Sequence, residues 1–156
     1  MNTLLRSLLL IATLGVTTSW AQVKVDNAWV RATMQGQKAT GAFMTLTAPQ
    51  ATRLVAVSTP VAGVAEIHEM KVDAGVMKMR AMTALELPAK QAVELKPGSY
   101  HLMLMDLKAP LAKDSSVALT LTFQDAKGAE SKQQVTVPVT TAMPQGHMSG
   151  HGDHKH

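Results

Sequence analysis

Tyr100-His101-Leu102-Met103-Leu104-Met105-Asp106 alternates side-chain type with a period of two. On a β-strand residues i, i+2 and i+4 share one face, so His101, Met103 and Met105 point the same way. Thirty-three residues before His101, His68-Glu69-Met70 repeats the motif in shorter form, with His68 and Met70 on one face. Between them lies Val76-Met77-Lys78-Met79-Arg80-Ala81-Met82, and Asp73-Ala74-Gly75 just before it reads as a hairpin turn. Segments 66–71 and 77–82 are therefore expected to pair antiparallel. The two His/Met strands are candidates for neighbours.

Working outward, short extended segments continue in both directions. They are expected around Trp29, over 41–47 with Phe43 as a core candidate, over 54–57, 64–70 and 92–95, and over 99–107, the most regular strand. Residues 117–123 set Val117, Leu119, Leu121 and Phe123 against Ala118, Thr120 and Thr122, and 133–139 forms the last strand. Gln35-Gly36-Gln37-Lys38, Lys96-Pro97-Gly98 and Lys127-Gly128 supply turns. Eight or nine strands with a turn every eight to twelve residues predict an all-β antiparallel sandwich. Two stretches leave room for helix: 76–87 by composition, and 109–114, which could hold one turn.

The ends differ from this middle. Arg6 followed by an apolar run over 8–16 and the small-residue pattern Ser19-Trp20-Ala21 predicts a signal peptide, 1–21, cleaved after Ala21. The run is too short to span a bilayer, so no membrane insertion is expected after its removal. The remaining chain has 135 residues, enough for one cored domain over 22–140. From 141 to 156 the composition shifts to Gly, His and Met, which predicts a flexible tail without a core. Met143, His147, Met148, His151, His154 and His156 make it a possible second metal site, whose imidazoles with Asp153 suit Cu(II).

Composition excludes several functions. Without the leader the chain carries a mild charge of +3, no Lys/Arg cluster and almost no aromatic residue, which argues against nucleic acid. There is no cysteine, so a blue-copper centre and Cys-attached haem are both ruled out. No Ser/His/Asp set and no Gly-rich phosphate loop point to an enzyme.

The histidines carry the positive reading. Only His68 and His101 lie outside the tail, and six of eleven methionines fall between positions 68 and 105. Methionine is an ordinary core filler, so core packing is one account of the pattern. A buried histidine needs a hydrogen-bond partner, and only Glu66 and Ser99 share the two faces, each two residues before its His. Imidazole beside thioether is a ligand set for copper in its reduced state.

His68, ten residues, Met79, twenty-one residues, then His101-x-Met103 resembles the signature of the PCuAC-type periplasmic copper chaperones. Ala28-Trp29-Val30-Arg31-Ala32, Gly41-Ala42-Phe43-Met44 and Pro97-Gly98-Ser99-Tyr100 agree with it, and the similarity runs from about Val25 to Val139. The resemblance implies a cupredoxin-like sandwich with one Cu(I) held by His68, Met79, His101 and Met103. Met70, Met77 and Met105 would lie nearby as supporting or transient ligands. It also implies delivery to the copper-accepting subunit of a cytochrome oxidase, at its binuclear centre and alongside a Sco-type protein, and a tail that takes Cu(II) in some members. A periplasmic copper-buffering protein without a dedicated acceptor is the alternative. Asp106 departs from the pattern, where a small residue such as Gly is expected.

Overall fold

A computed structural model of the protein describes residues 21–142. The leader expected over 1–21, apart from its last residue, and the six tail ligands from Met143 to His156 lie outside the described residues. Among those described there is no helix, and none long and apolar enough to cross a membrane. Ten strands form: β1 Lys24–Arg31, β2 Ala39–Thr47, β3 Thr52–Ser58, β4 Ala62–Asp73, β5 Val76–Met82, β6 Leu85–Leu87, β7 Ala92–Leu95, β8 His101–Leu107, β9 Ser116–Asp125 and β10 Glu130–Thr140.

Two layers enclose the core. One runs β5-β4-β8-β2-β1, with β7 also paired to β2; the other runs β10-β9-β3-β6. They join through a short parallel contact between β1 and β10, Val30↔Val139 and Arg31↔Thr140. Every other strand pair is antiparallel. Val30, Met44, Leu46, Leu102 and Leu104 of the first layer meet Leu54, Leu119, Leu121 and Val137 of the second in one apolar cluster. Burying each of these side chains contributes about 1.5–3 kcal/mol.

The stretch 76–87 resolves as strand because the turn before it dictates a hairpin. Ala74 (φ 49°) and Gly75 (φ 78°) both take the left-handed conformation. That is the two-residue turn whose twist matches the strands it joins. Asp73 then pairs with Val76, and the register runs on to Ile67↔Met82. The segment 109–114 forms no helical turn. It is an irregular loop pinned through Leu111, whose N–H donates to Thr33 Oγ1 at 2.8 Å and whose carbonyl accepts from the Thr33 N–H at 3.0 Å.

In β8 the alternation is clear until Asp106. Leu102 and Leu104 are fully buried, while Asp106 is exposed and Leu107 is buried again. Asp106 adopts φ 54°. The pairing slips there: Met105 pairs with Ala39, yet the Leu107 N–H donates to the Lys38 carbonyl. This is a bulge that returns the next side chain to the core, and it accounts for the expectation of a glycine at this position. The Asp106 side chain packs over Gly63, where an added Cβ would overlap its carboxylate.

Two substitutions test this corner by urea denaturation. Asp106→Gly should leave stability unchanged or raise it by up to about 1 kcal/mol, since a left-handed non-glycine residue costs ~1–2 kcal/mol and glycine's extra chain entropy offsets part of that. Gly63→Ala should cost about 1–3 kcal/mol through overpacking. The double variant should recover most of that loss. Additive effects would show that the two residues do not interact.

Candidate metal centre

The neighbour relation read from the sequence is present. β4 and β8 pair antiparallel, with Val64↔Met105, Glu66↔Met103 and His68↔His101. The two imidazoles thus stand directly opposite, their ring centres 5.7 Å apart at 63°. On the other side of β4, Met70 pairs with Met79 of β5. Directly paired side chains lie about 4.5–5.5 Å apart at Cβ, so Met79 lies one strand pair from the histidines on the same face.

β2 closes the opposite side. Gly41 pairs with Met103, and its missing side chain leaves room for the Phe43 ring, which a Cβ would meet at 2.7 Å. Phe43 packs 4.6 Å from the Trp29 ring and 6.3 Å from the His101 ring, between centres. The Arg31 guanidinium lies over both, 6.0 Å from the Trp29 centroid and 5.5 Å from that of Phe43. This wall was not legible from the sequence. Trp29 faces Phe43 only because β1 shifts register between Asp26 and Trp29, where Asn27 takes φ 50°.

A shallow pocket of about 280 Å³ opens between these walls, lined by Arg31, Phe43, Met70, Met79, His101 and Met103 among others. Three of the four expected ligands share it. His68 does not line it; it lies buried behind, against His101. Of the three nearby methionines, Met70 lines the pocket. Met105 sits farther along β8 opposite Val64, and Met77 is exposed on the hairpin opposite Val72. A larger cavity of about 520 Å³ lies at the other end of β1, lined by Val23, Phe123, Asp125 and Lys132 among others. It contains no histidine or methionine, so soft-ligand chemistry belongs to the smaller one.

Hydrogen bonds decide which nitrogen each ring offers. His68 Nε2 lies 2.7 Å from Glu66 Oε2. An ionised carboxylate only accepts, so Nε2 carries the proton and Nδ1 the lone pair. Among the described residues Nδ1 is buried without a partner, which costs about 1–3 kcal/mol and calls for an explanation. His101 Nδ1 donates to the Ser99 carbonyl at 3.1 Å, which leaves Nε2 with the lone pair. Both residues named as partners from the sequence serve, Ser99 through its backbone oxygen and not its hydroxyl. Burial pushes the His101 pKa below the ordinary imidazole value. The Ser99 bond partly opposes this, and the nearby His68 and Arg31 charges add to it.

The pocket thus presents one imidazole nitrogen and several thioether sulfurs, with a second imidazole buried behind. Among the described residues no group of three or more His, Cys, Asp or Glu side chains converges. A thioether–imidazole set fits a soft monovalent ion, and it lacks the thiolates and carboxylates that zinc prefers.

Comparison with known proteins agrees with this fold. Residues 23–139 match the LpqE-like family. A protein of Leifsonia xyli subsp. xyli named "Putative lipoprotein Lxx21020" is 33% identical over 118 residues, covering 75% of this chain and 69% of the relative. The copper-bound PCuAC domain from PmoF2 is similar in structure with a TM-score of 0.61, at 21% identity over 80% of this chain and 97% of that domain. The Cu(I) form of DR1885 from Deinococcus radiodurans gives 0.55 at 27% identity, over 81% and 83%. The all-β, cupredoxin-like sandwich expected from the sequence is the fold observed.

Two measurements on the apoprotein follow. Long-range 15N NMR at pH 8 should show His68 protonated at Nε2 and His101 at Nδ1, with Glu66→Ala converting His68 to a mixture. The same tautomer on both rings would contradict the hydrogen-bond assignment. The second concerns acid stability. Because the folded state lowers the His101 pKa, the unfolded chain binds the proton more readily. The associated stability is complete above the ordinary value of about 6.5 and is lost as pH falls through the lowered folded value. Urea midpoints at pH 7.5 and 5 should thus differ less in His101→Gln than in the wild type.

Proposed function

Since the chain belongs to the LpqE-like family, and its fold is that of PCuAC domains, we propose that it is a copper chaperone, not an enzyme. In this reading it binds one Cu(I) through His68, Met79, His101 and Met103. The observation that carries it is the convergence of Met79, His101 and Met103 on one pocket, with the partnerless Nδ1 of His68 directly behind His101.

Each donor suits transfer as much as binding. All four are neutral, so the loaded site carries a charge near +1, which limits the cost of taking the ion out of water. His68 uses Nδ1 and His101 uses Nε2, each ring held from its other nitrogen, as metal-bound histidines usually are. Met79 is 48% exposed, so an acceptor's ligands can replace this donor first and the others in turn. That open mouth favours hand-over above sequestration. Thioethers do not titrate, so acid weakens binding only through the imidazoles, which must be neutral to bind.

The remaining assignments extend the same proposal. The leader directs the chain to the periplasm and is removed after Ala21. The domain spans 22–140, and the tail 141–156 binds Cu(II). The acceptor is the binuclear copper centre of cytochrome c oxidase, reached alongside a Sco-type protein.

X-ray absorption on the Cu(I)-loaded protein tests the central claim. Two sulfur and two nitrogen neighbours are expected. Met103→Ala and His101→Ala should each lower Cu(I) affinity at least about tenfold, since even partners outside the ligand sphere cost 10–100-fold. A sulfur-free first shell would end the proposal.

A further inference from the structure

Among the described residues that line the His/Met pocket, Arg31 alone carries a fixed charge. The residue is exposed and, among the described residues, forms no ion pair. An unpaired surface arginine ordinarily samples many rotamers. Here the faces of two rings hold it, at 6.0 Å from the Trp29 centroid and 5.5 Å from that of Phe43. A cation within about 6 Å of a ring centre is attracted by the ring quadrupole. The backbone beneath is fixed as well. The Arg31 carbonyl accepts from the Thr40 hydroxyl at 2.7 Å, and Arg31 pairs with Thr140 of β10.

That placement sets a cation beside a pocket whose proposed cargo is also a cation. Phe43 stands between them, its ring centre 5.5 Å from the guanidinium carbon and 6.3 Å from the His101 ring. Among the described residues no aspartate or glutamate lines the pocket to offset the charge. Glu66 is engaged by His68 Nε2 at 2.7 Å and Glu69 is paired with Arg80. Arginine stays protonated at every working pH, so its charge is permanent. Coulomb repulsion is proportional to the charge of the incoming ion, so a divalent ion feels twice what a monovalent one does. Thioether donors select by softness, which does not reject a soft divalent ion. A fixed cation rejects it by charge alone.

We propose that Arg31 is a charge filter for the pocket. Held on Trp29 and Phe43, it weakens the binding of every cation, and of divalent cations doubly, so that the site selects valence as well as softness. This rests on the reading of the pocket as a Cu(I) site. At a separation on the order of 10 Å and an effective dielectric of about 40–80, the repulsion lowers monovalent affinity about two- to fourfold and divalent affinity by the square of that factor. The ion that loses least is the monovalent one, and its moderately weakened binding also eases release.

The test titrates silver(I) and cadmium(II), diamagnetic ions of fixed valence, into the full-length wild type, Arg31→Gln and Arg31→Lys, with imidazole as competing ligand. The methyl signals of Met79 and Met103 report occupancy of the pocket alone. Sodium nitrate at about 10 mM leaves a screening length of about 30 Å, and at about 1 M one of about 3 Å. At low salt Arg31→Gln should bind silver about threefold and cadmium about tenfold more tightly than the wild type, while Arg31→Lys stays within about twofold of it. At high salt the three proteins should converge. No gain in either ion, equal gains in both, a gain that Arg31→Lys shares, or one that survives high salt would each overturn the filter while leaving the pocket assignment intact. Methyl signals that silver leaves unmoved in the wild type would instead overturn the pocket itself, and the filter with it.

Discussion

The register between β4 and β8, which sets His68 against His101, is the constraint on which the site depends. Side chains alternate across a strand, so a slip of one residue in β8 would turn His101 toward the core and bring its leucines to the surface. The leucines prevent it. Leu102 and Leu104 are fully buried on the opposite face of β8, and exposing either would cost about 1.5–3 kcal/mol. The apolar face thus selects the register, and the His/Met face is carried along with it. The two-residue turn at Ala74-Gly75 then transmits the same register to Met79.

Each imidazole is oriented by a residue close before it in the chain. Glu66 precedes His68 by two residues and Ser99 precedes His101 by two, and each binds the ring that follows on its own face. Glu66 binds Nε2 and Ser99 binds Nδ1, so the two free nitrogens differ although the spacing is the same. A carboxylate side chain reaches the far nitrogen; a backbone carbonyl reaches only the near one. The local sequence therefore sets ring chemistry that would otherwise need long-range contacts.

This explains why much of the arrangement could be read from the chain. Strand alternation, the hairpin at 73–76 and the adjacency of the two His/Met strands all follow from local patterning. The ambiguity over 76–87 was one of composition, and it yields to turn geometry because two left-handed residues admit only a tight reversal. What stayed hidden depends on distant pairing. The Trp29–Phe43–Arg31 wall requires the β1 bulge. The position of His68 behind the pocket requires the His101 ring to stand in front of it. The leader and the tail ligands fall outside the described residues.

Among the described residues β5 is the outermost strand of its layer, hydrogen-bonded to β4 alone, and most of its side chains face solvent. Met79, a proposed ligand, rides on it. Elements with few buried contacts open locally at a small fraction of the global unfolding free energy. Peeling β5 from β4 would withdraw one sulfur while the sandwich interior and both imidazoles stay in place. Under the proposed Cu(I) role, release of the ion would then be separate from the integrity of the scaffold: the leucine core of the sandwich would not have to loosen for it to depart.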